Sequence, residues 1–196
     1  MLFDIGGVLL TNGWDHVSRG RAADAFALDE GFEARHALLA LDLDTARITL
    51  DAYLDRVVFD RPRSFTRDAF LAFVYAESQP FPETLAVLDE VVATGRYVVV
   101  ALNNESRELN GHRIATFDLA RRFDAFLSSC YLGMSKPDPG IYVRMLEILQ
   151  RPAEACVFVD DRSHNVATAV ELGIHGIQHT SALTTREALR AAGVQI

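Results

Sequence analysis

The sequence predicts an α/β fold in which a doubly wound parallel sheet carries a small all-helical insertion after its first strand. Three observations support this prediction. Helical and strand-like patterns alternate over the second half of the chain, the strand-like runs are largely unbroken apolar stretches, and residues 14–79 show helical spacing with no continuous β-branched run. We therefore predict an α/β core formed by residues 1–13 and 80–196 and a helical cap formed by residues 14–79.

The first ten residues, Met-Leu-Phe-Asp-Ile-Gly-Gly-Val-Leu-Leu, place a carboxylate between two apolar runs. An ionised carboxylate is costly to bury, so Asp4 must be paired, bind a metal, or lie at the open end of a strand. Gly6 and Gly7 favour the open end, because residues without side chains allow a sharp turn and a close approach of a ligand to the backbone. The alternative is a plain strand end followed by a glycine turn.

The insertion is predicted to contain four helices. Apolar spacing indicates them near residues 17–26, 32–43, 49–59 and 66–75. Thr49 and Thr66 are suitable N-caps for the last two. Four side chains of the insertion are candidates to line a substrate cavity, namely Trp14, His36, Arg47 and Tyr53. The alternative for the aromatic residues is an ordinary core position.

The core is predicted from the alternation that follows Pro82. Helices are expected over residues 82–95, 106–122 and 139–150, after residue 163 and from residue 185, and strands over residues 97–102, 125–129, 155–159 and 174–179. Ligands of such sheets bind at the carboxyl ends of the strands, near the point where the strand order reverses. This rule brings Asp4, Asn103 and Asp160 to one edge, because each of them ends a predicted strand.

Composition excludes several classes of function. The formal net charge is −8, with 27 acidic and 19 basic side chains, whereas binding to nucleic acid depends on lysine and arginine. No apolar stretch approaches the roughly 18 residues of a membrane span. Cys130 and Cys156 lie in apolar surroundings without a metal-type spacing, which favours free thiols in a reducing compartment. We expect a cytoplasmic protein, monomeric or homodimeric, with neither a nucleic-acid nor a membrane partner.

Three carboxylates are predicted to converge at the sheet edge. Asp160 and Asp161 follow the apolar run Cys-Val-Phe-Val, and the predicted topology brings them towards Asp4. Two carboxylates about 4 Å apart repel by roughly 4 kcal/mol at an effective dielectric constant near 20, so such a cluster requires a cation. Mg²⁺ prefers oxygen ligands and binds through one or two carboxylates. The alternative for the acidic pair is a solvated helix N-terminus.

The order of four segments resembles that of the haloacid dehalogenase superfamily of hydrolases. Residues 1–10 are followed by Val-Val-Val-Ala-Leu-Asn-Asn at 98–104, Gly-Met-Ser-Lys-Pro-Asp-Pro at 133–139 and Cys-Val-Phe-Val-Asp-Asp-Arg-Ser-His-Asn at 156–165. The chain looks most like the small phosphatases similar to the sugar-1-phosphate phosphatases and to the N-terminal phosphatase domain of soluble epoxide hydrolase. This resemblance implies a Rossmann-like core and Mg²⁺-dependent hydrolysis of a small phosphorylated metabolite.

The resemblance also implies roles for the charged and amide side chains. Asp4 would act as the nucleophile and form an aspartyl-phosphate that water later hydrolyses. Lys136 would place a positive charge beside the phosphate or beside Asp4, although a solvated loop lysine is the alternative. Asn103 and Asn104 stand where the family has Ser or Thr followed by Asn, and an amide can donate to a phosphate oxygen as a hydroxyl does.

A ligand set for Mg²⁺ follows from the same resemblance. Asp161 would be a direct ligand, together with Asp4 and the backbone carbonyl of Gly6. Asp160 would coordinate the ion or lie directly behind its ligands, and Asn165 would orient it. The expected cofactor is therefore Mg²⁺, and the expected partner is a small phosphorylated molecule.

Gly6 departs from the family pattern. Most of the family's phosphatases carry a second aspartate at this position, which protonates the leaving oxygen and then activates water, and such help is typically worth about 10² to 10⁴ in rate. Asp15 and His16 are the nearest candidates in sequence for a substitute. The departure leaves two alternatives open. The pair Asp160 and Asp161 argues against the first, a metal-independent 2-haloacid dehalogenase. The clustered charges of Asp4, Lys136 and Asp161 argue against the second, a binding protein with little turnover.

Overall fold

A computed structural model describes residues 1–196 and contains one sheet of five parallel strands together with ten α-helices. The strands are β1 (Leu2–Phe3), β2 (Val100–Ala101), β3 (Ala125–Phe126), β4 (Val157–Asp160) and β5 (His175–Gln178). They pair in the order β3-β2-β1-β4-β5, so the chain builds outwards in both directions from β1 at the centre. The doubly wound parallel sheet predicted from the sequence is confirmed.

Four helices lie within residues 14–79, as the sequence predicts. They are α1 (His16–Ala25), α2 (Phe32–Asp44), α3 (Leu50–Val57) and α4 (Arg67–Ala76). The other six are α5 (Pro82–Ala93), α6 (Arg107–Thr116), α7 (Ser129–Leu132), α8 (Pro139–Leu149), α9 (Ser163–Glu171) and α10 (Ala182–Ala191). The hydroxyls of Thr49 and Thr66 accept hydrogen bonds from Ala52 N–H and Ala69 N–H, which confirms both predicted N-caps.

The sheet is covered by apolar side chains on both faces. Successive strand residues point to opposite faces, and Leu2 and Phe3 of β1 accordingly belong to two different buried clusters. The cluster around Phe3 includes side chains of α5 and α10, and the cluster around Leu2 includes side chains of α8 and α9. This layering leaves only the ends of the strands open to a ligand.

Three predicted elements are shorter in the structure. The strand predicted over residues 97–102 pairs in a ladder only at Val100–Ala101, and the strand predicted over residues 125–129 ends early because Ser129 begins α7. The helix predicted over residues 106–122 ends at Thr116 and gives way to a 3₁₀ turn, since Asp118 adopts a left-handed backbone with φ of 50°.

Residues 16–76, which we call the helical segment, have a buried cluster of their own. Phe32, Tyr53 and Phe70 lie at its centre, each at most 1% exposed. The Trp14 ring meets Phe32 and Phe70 edge-on, with ring centroids 6.2 and 5.8 Å away. Leu109 of α6 belongs to the same cluster, so the helical segment packs against the α/β core through this helix.

Arg113 of α6 joins the two connections between the helical segment and the sheet. Its guanidinium donates to the carbonyl of Thr11, before the helical segment, at 2.7 Å and to Ser78 Oγ, after it, at 3.0 Å. Its Nη1 lies 3.2 Å from Glu105 Oε2, and both side chains of this ion pair are buried. Arg113 thus ties the start and the end of the helical segment to one core helix.

No helix of the chain combines the length and the apolar character that crossing a membrane requires. Cys130 and Cys156 are free and buried, which confirms that part of the prediction. The cytoplasmic location stays a prediction.

Candidate active site

The carboxyl ends of β1 and β4 bring three carboxylates together. Phe3 of β1 pairs with Val159 of β4, so Asp4 and Asp160 leave adjacent strands at the same edge of the sheet. Asp161 follows directly. One oxygen from each of the three carboxylates lies within 4.8 Å of the other two. The convergence predicted from the strand ends is therefore present.

The ammonium of Lys136 lies between two of these carboxylates. Its Nζ is 2.6 Å from Asp160 Oδ2 and 3.1 Å from Asp4 Oδ2. The lysine side chain is only 1% exposed, so it is not the solvated loop lysine of the alternative reading. The charge of Arg162 also acts on Asp161, so two cations serve three carboxylates and the cluster keeps an excess of negative charge.

Asp160 is fully occupied by protein donors. Asn165 Nδ2 lies 3.0 Å from each of its oxygens, and Arg162 N–H donates to Oδ1 at 2.8 Å. Lys136 Nζ donates to Oδ2. Asn165 lies in α9, and its backbone carbonyl accepts a hydrogen bond from the hydroxyl of Tyr142 at 2.9 Å. These bonds fix Asp160 and direct it towards Lys136.

The carboxylate of Asp161, by contrast, is not fully satisfied by protein donors. Its Oδ1 is buried without a hydrogen-bond partner, and so is Oδ1 of Asn165 close by. A buried polar atom without a partner is costly, and a buried carboxylate oxygen more so. A hard divalent cation would satisfy such oxygens, because Mg²⁺ takes carboxylate and carbonyl ligands. The residues present therefore fit Mg²⁺, with Asp4 and Asp161 as the carboxylates that still have free lone pairs.

Gly7 makes this arrangement sterically possible. Its backbone has φ of 76°, a conformation that side chains rarely allow. A Cβ at this position would collide with the carboxylate of Asp161. The glycine turn after β1 thus lets the carboxylate of Asp161 approach the backbone that follows Asp4.

The electrostatics of the cluster also favour a cation. Burial raises the pKa of Asp4 to about 7 against the opposing effect of the Lys136 ammonium, and Asp160 and Asp161 raise it as well. Burial and the charge of Asp160 raise the pKa of Asp161. Both shifts have the same meaning, namely that three ionised carboxylates are unfavourable here without added positive charge.

A cavity of about 390 Å³ lies between the helical segment and this edge of the sheet. Asp4, Gly6 and Lys136 line it on the core side. The opposite side is largely apolar and includes Trp14, Leu43, Leu50, Tyr53, Leu54 and Phe70. Of the four predicted lining residues, Trp14, His36 and Tyr53 are confirmed. The prediction that Arg47 lines the cavity is wrong, because its side chain is exposed and forms an ion pair with Asp42.

The two asparagines after β2 differ from the expectation that they bind substrate. Asn104 lines the cavity, but its Oδ1 accepts from Lys136 N–H at 2.9 Å and its Nδ2 donates to the Lys136 carbonyl at 2.8 Å. Asn103 does not line the cavity. Its amide is buried, donating to Asn110 Oδ1 at 3.0 Å and accepting from Ser128 Oγ at 2.8 Å. The amide of Asn103 is therefore used to join β2, α6 and the end of β3.

The space beside Gly6 is bordered by two polar side chains. A Cβ on Gly6 would lie 2.9 Å from Asn12 Oδ1 and 3.5 Å from Arg113 Nη1. Of the two substitutes named from the sequence, Asp15 caps α1, its Oδ1 accepting from Val17 N–H and Ser18 N–H. His16 lines the cavity and is exposed. His16 is thus the candidate whose side chain is not already engaged by a helix end.

Several lining residues have no signal in the sequence. Asp44, Glu105 and Arg113 all line the cavity, although they come from α2, the loop after β2 and α6. Burial raises the pKa of Asp44 to about 7, the charge of Glu105 adds to this effect, and Arg19 opposes it. Only the packing of the helical segment on α6 brings these distant positions together.

Solved structures of other proteins share this fold. The HAD family enzyme BT-2542 from Bacteroides thetaiotaomicron, in complex with magnesium and inorganic phosphate, superposes with a TM-score of 0.77 and 21% identity, covering 91% of this chain and 92% of that one. A dehalogenase reaches a TM-score of 0.62 at 22% identity, covering 90% of this chain and 82% of that one. At these identities the likeness shows the fold alone.

Curated relatives match this chain over only part of their own length. Acyl-CoA dehydrogenase family member 10 of Mus musculus is 27% identical over 197 residues, or 91% of this chain and 17% of the relative. Bifunctional epoxide hydrolase 2 of Mus musculus is 35% identical over 79 residues, which are 40% of this chain and 14% of the relative. Flavin mononucleotide hydrolase 1 of Arabidopsis thaliana is 33% identical over 79 residues, which are 38% of this chain and 32% of the relative. The chain spans less than a third of the length of each.

The family itself is shown by a longer match. Residues 1–173 match the haloacid dehalogenase-like hydrolases. This span contains the four motifs, the helical segment, and the sheet edge at which Asp4, Lys136 and Asp161 meet. Fold, site and sequence agree, and the chain is a hydrolase of the haloacid dehalogenase-like family.

Proposed function

We propose that this hydrolase is a Mg²⁺-dependent phosphomonoester hydrolase that acts on a small phosphorylated metabolite. One observation carries the proposal: the unpartnered, buried Oδ1 of Asp161 lies beside a carboxylate, Asp4, that is already paired with Lys136. Such a site is suited to a divalent cation and a phosphate together. The name of the flavin mononucleotide hydrolase and the magnesium and phosphate held by BT-2542 support the same reading.

Asp4 is the proposed nucleophile. One of its carboxylate oxygens forms a bond to phosphorus while the bond from phosphorus to the leaving oxygen breaks, and that oxygen takes up a proton to leave as the alcohol. Water then attacks the phosphorus of the aspartyl-phosphate, the bond to Asp4 breaks, and inorganic phosphate is released. The N–H of Ile5, 2.7 Å from Asp4 Oδ1, and the ammonium of Lys136 hold the carboxylate in place.

Asp4, Asp161 and the backbone carbonyl of Gly6 would hold Mg²⁺, and Asp160 and Asn165 would support them. The bound ion supplies positive charge that offsets the repulsion between the phosphate and Asp4. Lys136 contributes a second positive charge at a fixed position, since Asp160 and the backbone contacts of Asn104 both restrain it.

We also propose that residues 14–79 act as a cap over a core formed by residues 1–13 and 80–196. The cavity lies between these two parts, and the apolar side chains of the helical segment would exclude water from the reacting phosphate. Because no aspartate stands at Gly6, the enzyme would favour esters whose leaving group departs without much help from a general acid.

A 2-haloacid dehalogenase is the alternative with a structural relative, since a dehalogenase shares the fold. In that reaction the aspartate would displace halide from carbon without a metal. The orphaned oxygen of Asp161 has no role in such chemistry, whereas a metal-dependent phosphatase requires it. The same oxygen argues against a binding protein without turnover.

The test measures phosphate release from p-nitrophenyl phosphate with and without Mg²⁺, and halide release from 2-chloropropionate. We expect metal-dependent phosphate release that disappears in Asp4→Asn and persists in Asp24→Asn, a matched change at an exposed position. Metal-independent halide release would favour the dehalogenase hypothesis over the phosphatase. The absence of both phosphate and halide release would reject catalysis by Asp4.

A further inference from the structure

Three side chains of the cavity wall form a continuous hydrogen-bonded chain. Trp14 Nε1 lies 3.0 Å from the hydroxyl oxygen of Tyr53, and that oxygen lies 2.8 Å from Nδ1 of His36. The rings of His36 and Tyr53 meet edge-on with centroids 5.9 Å apart. All three residues line the cavity, and Tyr53 is fully buried.

The direction of this chain follows from what each group can donate. The indole N–H of Trp14 is a donor only, so the oxygen of Tyr53 accepts from it. The hydroxyl hydrogen of the buried Tyr53 then needs an acceptor, and Nδ1 of His36 is the atom within reach. Nδ1 is therefore unprotonated, and a neutral His36 carries its hydrogen on Nε2.

The imidazole is held in this neutral form. Burial and, to a smaller extent, the nearby guanidinium of Arg19 lower the pKa of His36 to about 4, against the opposing charge of Glu33. Arg19 is itself engaged, because its nitrogens donate to the carboxylate of Glu33 and to the carbonyl of Trp14. No protein group forms a hydrogen bond with His36 Nε2. This atom is not buried, so it remains accessible.

We infer that His36 is a specificity-determining residue, which donates a hydrogen bond from Nε2 to an acceptor oxygen in the outer part of the leaving group. The substrate class is then a phosphomonoester whose alcohol has a largely apolar body and carries a carbonyl, ether or similar oxygen away from the phosphate. Trp14 and Tyr53 are positioning residues that set the tautomer. This inference rests on the proposed phosphatase function.

The mixed character of the cavity wall makes this donor relevant to specificity. Leu43, Leu54 and Phe70 line the cavity together with the charged Arg19 and Asp44. Because Arg19 is already engaged by Glu33 and Trp14, a ligand oxygen placed beside the apolar side chains would lose its water without compensation unless it met a donor. A ligand with only methylene groups would instead leave the Nε2–H without a partner. The site discriminates between the two through the hydrogen bond rather than through size.

The first measurement is independent of catalysis. Long-range proton–nitrogen NMR spectra of protein labelled with ¹⁵N-histidine report the tautomer of each ring, and His36→Gln assigns the His36 signals by their loss. We expect a neutral Nε2–H tautomer at neutral pH and a mixture of tautomers in Tyr53→Phe. An Nδ1–H tautomer or an imidazolium in the parent overturns the inference.

The second measurement compares substrates of equal length. Heptyl phosphate is compared with oxo derivatives that carry one carbonyl in the outer half of the chain, where it does not alter the leaving oxygen. We expect at least one oxo isomer to exceed heptyl phosphate by about 3- to 10-fold in kcat/KM, as a single neutral hydrogen bond allows. The ratio should fall to about 1 in His36→Leu and recover in part in His36→Gln, which keeps an amide donor.

The outcomes separate the two proposals. Three results overturn the inference and leave the phosphatase standing: equal release from heptyl phosphate and its oxo derivatives in the parent, a preference that survives in His36→Leu, and release from p-nitrophenyl phosphate without release from any alkyl ester. No release from any ester, p-nitrophenyl phosphate included, rejects the proposed function and with it the substrate class, while the NMR result still decides the tautomer of His36.

Discussion

Asn104 makes two hydrogen bonds to the backbone of Lys136, accepting from its N–H at 2.9 Å and donating to its carbonyl at 2.8 Å. A residue at the end of β2 thereby fixes the loop that precedes α8. Since Lys136 Nζ must reach Asp4 and Asp160 together, the position of its backbone decides whether its charge is placed correctly.

Asn104→Ala should lower kcat/KM for p-nitrophenyl phosphate by about 10- to 100-fold, because a small displacement of a catalytic group is enough to produce such losses. Its unfolding temperature should fall less than that of Asn103→Ala, because Asn104 is half-buried whereas Asn103 is buried. Asn103→Ala is the contrasting variant, since it leaves the buried groups of Asn110 and Ser128 without partners and should mainly lower the unfolding temperature. Parent-like activity of Asn104→Ala would show that Lys136 does not depend on this contact.

Gly7→Ala should weaken Mg²⁺ binding as well as stability, because its Cβ would displace the carboxylate of Asp161. Gly95→Ala is the matched control: Gly95 also has a positive φ, of 62°, but a Cβ there meets nothing within 4 Å. Both variants carry the backbone strain, of about 1 kcal/mol. Isothermal titration calorimetry with Mg²⁺ should therefore distinguish them, and equal affinities would contradict the role given to Gly7.

Arg113→Met should lower the free energy of unfolding by about 3–5 kcal/mol, since it leaves the buried carboxylate of Glu105 without its cation. Chemical denaturation measures this loss. The double variant Arg113→Met/Glu105→Gln should recover part of the stability, because no unpaired charge remains. A single variant as stable as the parent would show that the ion pair does not stabilise the fold.

The stability of the protein should depend on pH through Asp44. Its pKa in the folded protein is about 7, above its ordinary value of 3.8, so the folded state binds the proton more tightly between these two values. Stability attributable to this group is therefore highest below about pH 4 and falls as pH rises towards about 7. Asp44→Asn should unfold at a higher temperature than the parent at about pH 8 and show a smaller advantage at about pH 4. An advantage that does not change with pH would contradict the burial of this carboxylate as its cause.

If His16 supplies the proton for the leaving oxygen, His16→Ala should affect poor leaving groups most. The ratio of kcat/KM for p-nitrophenyl phosphate to that for an alkyl phosphate should rise by about 10² in this variant, within the range of general acid catalysis. Asp15→Asn keeps an N-cap for α1 and should leave the ratio near that of the parent. An unchanged ratio in His16→Ala would remove His16 from the reaction.

The sequence is informative where function depends on the order of strands. Asp4 and Asp160 could be placed together because each ends an apolar strand, and parallel strands bring their carboxyl ends to one edge. The directions of side chains could not be predicted in the same way. Asn103 turns into a buried network with Asn110 and Ser128, both of which reach it only through tertiary packing.

The residues that line the cavity could not be fully predicted from the sequence either. His36 and Arg47 are both polar residues of the insertion and both are candidates from the sequence, yet only His36 lines the cavity. Arg113 looks like one of many charged residues on a surface helix until the helical segment packs over α6 and buries it. Long-range packing, which no local pattern encodes, decides these positions.

The contacts of Arg113 also have a mechanical consequence. Thr11 and Ser78, which lie in the two connections before and after the helical segment, are both held by one guanidinium and so cannot separate from each other or from α6 independently. Any opening of the cavity would then be a swing of the whole helical segment about a single pivot, with Arg113 on its axis. Substrate would enter by rotation of one rigid body, without unwinding of either connection.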